Sequence, residues 1–109
     1  MEQYIPLVTK NCVRKILPGE IIYIMKKQRK LHIATDRETY AVYERLEVAE
    51  RILDRRFYAC LRNFYINLDK VERMENQTVF FCNGDSIPLG RDSYVRTKQH
   101  YSAYLKKLL

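Results

Sequence analysis

The sequence predicts a mainly antiparallel β protein with two helices. Short runs rich in β-branched and aromatic residues recur along the chain, divided by turn-like or charged residues, and the hydrophobic period turns helical at only two places. The connections between runs are also too short for parallel crossovers, which need about a dozen residues or more. At 109 residues, 47% of them apolar and with only three Gly and three Pro, the chain suits one domain over residues 1–109 with one modest core.

The first runs are QYIPLV, CVRKIL, EIIYIM, KLHIAT and ETYAVY. Pro18-Gly19 sits between the second and third and signals a chain reversal, because Pro fixes its own backbone angle and Gly relaxes the next. From Tyr43 to Arg56 the spacing of Val42, Leu46, Ala49 and Leu53 predicts an amphipathic helix of about three turns. FYACL, NFYINL, KVERM, TVFFC and SIPLG follow as strands, with Asn83-Gly84 a type I′ hairpin candidate between the last two. In the tail, Asp92 and Ser93 are capping candidates, and Tyr94, Lys98, Tyr101 and Leu105 define one face of a closing helix of about four turns.

Twenty Lys and Arg against thirteen Asp and Glu give a net charge of +7, which favours a polyanionic partner such as nucleic acid or an acidic membrane surface. Cys12, Cys60 and Cys82 are odd in number and widely spaced, and only His32 and His100 could join them, so neither a disulfide framework nor a zinc site fits. Three unpaired thiols suit a reducing cytoplasm. MEQYIPLVTK lacks the layout of a signal peptide, and no apolar run approaches the roughly 18 residues of a membrane span. No nucleophile–base pair or carboxylate pair has a recognisable signature, and Gly19, Gly84 and Gly90 stand too far apart for a phosphate loop. The expectation is a cytoplasmic, non-enzymatic protein without catalytic residues, metal or cofactor. His32 and His100 read as surface histidines or polar contacts, and Cys60 and Cys82 as small hydrophobes.

Cations instead gather at three loop-like corners. KKQRK, Lys26 to Lys30, lies between two strand runs; it is either a solvated turn or a loop laid on phosphates, where each cation releases condensed counterions. Gln28 is the member suited to a bidentate contact with adenine. Arg62 and Asn63 separate FYACL from FYINL. Strand alternation there places Phe64, Ile66 and Leu68 on one face and Tyr65, Asn67 and Asp69 on the other. Asn67 with Asp69 reads as the residue pair that shapes the exit turn. Arg91 precedes the closing helix, and its bland alternative is a surface ion pair with Asp92 or Glu75.

In order along the chain, GEIIYI, ERILDRRFYAC, LRNFYINLDKVERM, NGDSIPLGRDSY and the closing helix resemble the blocks of the LytTR DNA-binding domain, over roughly residues 5–107. The resemblance implies an elongated arrangement of small, mostly antiparallel sheets that binds double-stranded DNA by inserting loops into successive major grooves. It implies base contacts from Lys30, with Leu31 the alternative register, from Arg62 with Asn63, and from Arg91. Lys26, Lys27 and Arg29 would neutralise phosphates. Leu61-Arg62-Asn63 stands where the family often has His-Arg-Ser, Gly90 where it often has Ser, and Met25 where it often has an acidic residue; these differences bear on contacts rather than on the fold. Family members act as response regulators of transcription, usually with a receiver domain driven by a sensor kinase, so the chain reads either as a stand-alone regulator or as the output part of a longer one, two copies occupying repeated sites. Two other readings stay open at this stage: a single-stranded nucleic-acid binder, suggested by nine Tyr and four Phe on a basic β domain, and a protein-interaction module.

Overall fold

The computed structural model describes residues 3–107. All ten predicted runs form strands: β1 (Ile5–Val8), β2 (Val13–Ile16), β3 (Ile21–Lys27), β4 (Lys30–Thr35), β5 (Thr39–Tyr43), β6 (Phe57–Leu61), β7 (Phe64–Asn67), β8 (Val71–Glu75), β9 (Thr78–Phe81) and β10 (Ser86–Pro88). The two helices are α1 (Leu46–Glu50) and α2 (Arg91–Lys107). A two-stranded sheet β1-β2, a central sheet ordered β5-β4-β3-β7-β6 and a three-stranded sheet β10-β9-β8 result, with antiparallel pairing throughout. The overall extents are 40 × 31 × 24 Å.

The central sheet is covered on both faces, so the chain holds two cores where its length suggested one, because short sheets packed on either side each bury a face. One core joins Ile5, Leu7 and Ile16 of the two-stranded sheet to Ile24, Leu31 and Ile33 of the central one, with Ala49 of α1 above them. The other joins Ile22 and Ile66 to Val71, Val79 and Phe81 of the three-stranded sheet and Tyr101 of α2. Ile21 and Ile22 serve opposite cores, and a register irregularity between Ile21 and Tyr23 sends Ile22 and Tyr23 to the same side. Burial on both faces explains why Asn67, expected on a polar face, is fully buried.

Three local expectations are corrected. The first helix is five residues long, not about three turns. Val42 is consumed by β5, where it pairs with Leu31, and Arg45 is still extended at φ −82° and ψ 146°. Beyond Glu50 the Asp54 carboxylate accepts from the Arg56 backbone N–H at 3.1 Å and its carbonyl from the Phe57 N–H at 3.0 Å, which turns the chain into β6. Ala49, Ile52 and the partly buried Leu46 and Leu53 still reach the core, so the apolar spacing was real while the helix was not long. In α2 the core face is Tyr94, Thr97, Tyr101 and Tyr104; Lys98 and Leu105 are exposed. The Gly90 carbonyl accepts from the Tyr94 N–H at 2.8 Å, so the helix begins at Arg91, ahead of Asp92 and Ser93. Finally, only Gly84 (φ 96°) has positive φ in the Asn83-Gly84 turn, so it is not type I′, which needs two such residues. The Phe81 carbonyl receives the Gly84 N–H at 3.1 Å and the Phe81 N–H reaches the Asp85 carbonyl at 2.9 Å, the pattern of a three-residue loop closed by glycine.

Candidate nucleic-acid interface

Two of the three cationic corners lie side by side. The β3–β4 hairpin closes through Gln28-Arg29 with Lys27 opposite Lys30, and the β6–β7 hairpin through Arg62-Asn63. Each turn has one carboxamide residue at positive φ, Gln28 at 58° and Asn63 at 60°. Antiparallel pairing of β3 with β7 runs to Met25 opposite Phe64, and the Lys26 N–H then donates to the Asn63 carbonyl at 2.9 Å. That bond fixes the second tip against the first at one end of the central sheet.

Side-chain placement separates the cations. Lys27, Arg29, Arg62 and Asn63 are exposed, and none of the three cations has an ion-pair partner among the described residues. The Lys26 ammonium donates to the carbonyls of Glu44 and, at 3.4 Å, Arg29, stitching the tip to the segment after β5 while leaving its charge on the loop. The Lys30 ammonium lies 5.1 Å from the centre of the Tyr43 ring, a cation–π contact on an exposed aromatic. Leu31, the alternative register, has no exposed surface, whereas Lys30 is partly exposed. Tyr43, which presents Lys30, was not singled out in the sequence; its pairing opposite Lys30 appears only once the β4–β5 register is known.

The third corner follows from helix packing. Tyr58 of β6 stacks on His100 of α2, ring centres 4.3 Å apart, while Arg55 and Phe57 share a cleft with Ala103, Tyr104 and Lys107. β6 and α2 therefore run in opposite directions. From Tyr58 forward to Arg62 is about 13 Å of strand, and from His100 back to Arg91 about 13 Å of helix, so both arginines lie toward the same end. Arg91 is exposed and makes no ion pair among the described residues; of its two suggested partners, Asp92 likewise forms none and Glu75 is taken by Arg73 at 2.8 Å.

Asn67, at the far end of β7, is committed inward. Its Nδ2 donates to the Ile21 carbonyl at 2.8 Å and its Oδ1 accepts from the Asp69 N–H at 2.9 Å, capping a short 3-10 turn over Leu68–Lys70. Cys60 is buried, and desolvation pushes its thiol up to about 11, while Cys82 is exposed rather than the buried hydrophobe expected. Among the described residues no group of three or more His, Cys, Asp and Glu is placed to hold a metal, and no helix is long and apolar enough to cross a membrane.

A basic β protein that presents unpaired cations and carboxamides on hairpin turns, rather than on a helix face, has the layout of a loop-presenting nucleic-acid-binding module. The sequence profile of the LytTr DNA-binding domain matches residues 11–102, and the chain belongs to that family. In structure it is similar to a LytTr DNA-binding domain of a Bacillus cereus response regulator, with a TM-score of 0.72 at 17% identity over 92% of this chain and 97% of that one. The expected arrangement of small antiparallel sheets agrees with that likeness. No curated protein matches the chain.

Proposed function

We propose that this chain is the DNA-reading output module of a bacterial response regulator, binding duplex DNA sequence-specifically with its tips in successive major grooves. Arg62 and Arg91 match the guanine O6 and N7 edge, Asn63 and Lys30 add hydrogen bonds beside them, and Lys27, Arg29 and the charge of Lys26 neutralise phosphates. Two copies occupy repeated sites, and a receiver domain elsewhere, answering a sensor kinase, controls occupancy. The observation that carries the reading is the Lys26 to Asn63 backbone bond, which holds two cationic tips as one rigid projection free of acidic partners.

Selection of bound duplexes from a random pool, followed by salt titrations on the winner and a scrambled control, tests it. A recovered motif, repeated at a fixed spacing, is expected, with log affinity falling by about 0.9 per phosphate contacted for each unit of log salt on both duplexes. Equal affinity for winner and scrambled duplex at all salt concentrations would sink the base-reading assignment. Preference for unpaired strands would favour the single-stranded alternative, which needs several exposed aromatic faces. Among the described aromatic residues only Tyr4 and Tyr43 are exposed, and Tyr43 lies against Lys30.

A further inference from the structure

Four non-glycine residues among those described adopt positive φ: Gln28, Asn63, Asn76 and Gln77. All four carry a carboxamide, and all four sit on hairpin tips. Gln28 and Asn63 belong to the two corners already placed at the end of the central sheet. Asn76 (φ 53°) and Gln77 (φ 56°) close the β8–β9 hairpin, where Glu75 pairs with Thr78.

This fourth tip adjoins the third corner. The Leu89 N–H donates to the Gln77 carbonyl at 2.8 Å, so the turn is bonded to the segment that bends at Gly90 into Arg91. Leu89 is buried beneath it, which anchors the junction, while Asn76, Gln77, Gly90 and Arg91 are all exposed.

The side chains of the turn are not used to build it. The Thr78 hydroxyl donates to the Asn76 backbone carbonyl at 3.1 Å, and neither carboxamide has a hydrogen-bond partner among the described residues. Two other asparagines spend their carboxamides on structure: Asn83 Oδ1 accepts from the Asp85 N–H at 2.9 Å, and Asn67 makes both of the bonds described above, whereas Asn63, on a corner already assigned to DNA, leaves its own free among the described residues. Glycine would also satisfy a two-residue hairpin with two positive φ angles at lower steric cost, and glutamine is a poor choice for that conformation. A carboxamide on such a tip offers an acceptor and two donors in one plane, the pattern that matches the N7 and N6 groups of adenine in the major groove.

Resting on the duplex-binding reading, we infer that the Asn76-Gln77 turn is a fourth DNA contact, its carboxamides hydrogen-bonding the duplex beside the position reached by Arg91, with adenine the base matched by Gln77. The third reading element is then a pair of adjoining turns, one supplying a guanidinium and the other amides. It mirrors the pairing of the Gln28-Arg29 and Arg62-Asn63 turns.

Glycine substitution tests this cleanly because glycine accepts the native backbone. Gln77→Gly and Asn76→Gly should hold or raise the melting temperature, since they relieve steric cost and delete no internal hydrogen bond. Gln77→Gly should nevertheless weaken binding to the selected duplex by about tenfold, as expected for loss of one bidentate contact. Repeating the random-pool selection with Gln77→Gly should erase an adenine preference at a position next to the one whose preference Arg91→Ala erases. Wild-type affinity and an unchanged selected motif for both glycine variants would overturn the inference, leaving the turn as a hairpin closure. If Arg62→Ala and Arg91→Ala also bind and select as the wild type does, the base-reading assignment fails instead, so the two failures are told apart.

Discussion

The two ends of the central sheet handle positive charge in opposite ways. At the end where β3 and β6 begin and β4 and β7 finish, three cations are paired: Arg14 with Glu20, Lys70 with Asp36 at 3.1 Å, and Arg56 with Asp54 at 2.8 Å. At the end formed by the hairpin tips, Lys27, Arg29 and Arg62 have no ion pair among the described residues, and Glu44 nearby directs its carboxylate to the Arg45 N–H at 3.0 Å. Partly exposed pairs of this kind contribute at most about 1 kcal/mol each, so the difference does little for stability. Its effect is on the field. Three cations at one end face carboxylates, while those on the projecting turns have no such partner among the described residues, so their field reaches solvent uncompensated by an adjacent acid.

The largest test of that contrast sets Arg62 against Asn67, residues at opposite ends of the same short segment. Arg62→Ala should keep the melting temperature, because the side chain is exposed and unpaired, yet cost about 1 to 3 kcal/mol of discrimination between selected and scrambled duplex. Asn67→Ala should do the reverse. It strands the buried Ile21 carbonyl and removes the acceptor of the part-buried Asp69 N–H, at about 1 to 3 kcal/mol, with a melting temperature lower by about 4 to 8 °C for each kcal/mol. Thermal unfolding and duplex competition on both variants would read this out; a lowered melting point for Arg62→Ala would place it in the scaffold and not at the contact.

A smaller effect compares equal charge removal at each end. Lys27→Ala with Arg29→Ala should reduce the slope of log affinity against log salt by about 2, near 0.9 for each lost phosphate contact. Lys70→Ala with Arg56→Ala removes the same formal charge from the paired end and should leave the slope unchanged. Equal slopes for the two double variants would mean that net charge, and not its placement, drives association.

Much of this was legible in the sequence, for identifiable reasons. Strands announce themselves by local composition, so ten short runs became ten strands, and KKQRK lay on a hairpin tip because two strand runs flank it. The length of α1 was not legible, since the spacing of Val42, Leu46, Ala49 and Leu53 fits a helix even though Val42 belongs to β5 and Asp54 builds a turn. Side-chain commitment was least accessible. That Lys26 is engaged by carbonyls, that Tyr43 supports Lys30 and that Gln77 adjoins Arg91 all depend on register between segments distant in sequence.

The smallest effect sits at the paired end and concerns alkaline pH. The Tyr104 hydroxyl donates to the Asp69 carboxylate, and desolvation together with that bond pushes the Tyr104 hydroxyl up to about 12. A raised acid pKa means the folded state holds the proton more tightly than the unfolded chain does, for which the ordinary value is about 10. The associated stabilisation is therefore complete below pH about 10 and is lost as pH climbs from there toward 12. Burial or carboxylate contacts also raise Tyr23, Tyr40, Tyr65 and Tyr101, so the wild type should lose melting temperature steadily in this window. Tyr104→Phe has no proton to release and should fall less steeply between pH 10 and 12, starting slightly lower at pH 8 for want of the Asp69 bond. Its affinity for the selected duplex at pH 8 should match the wild type, because the group lies with Asp54, Arg55, Arg56 and Asp69, at the opposite end of β6 from Arg62. A parallel loss of DNA binding in Tyr104→Phe would show that the two ends of the sheet are energetically coupled rather than independent.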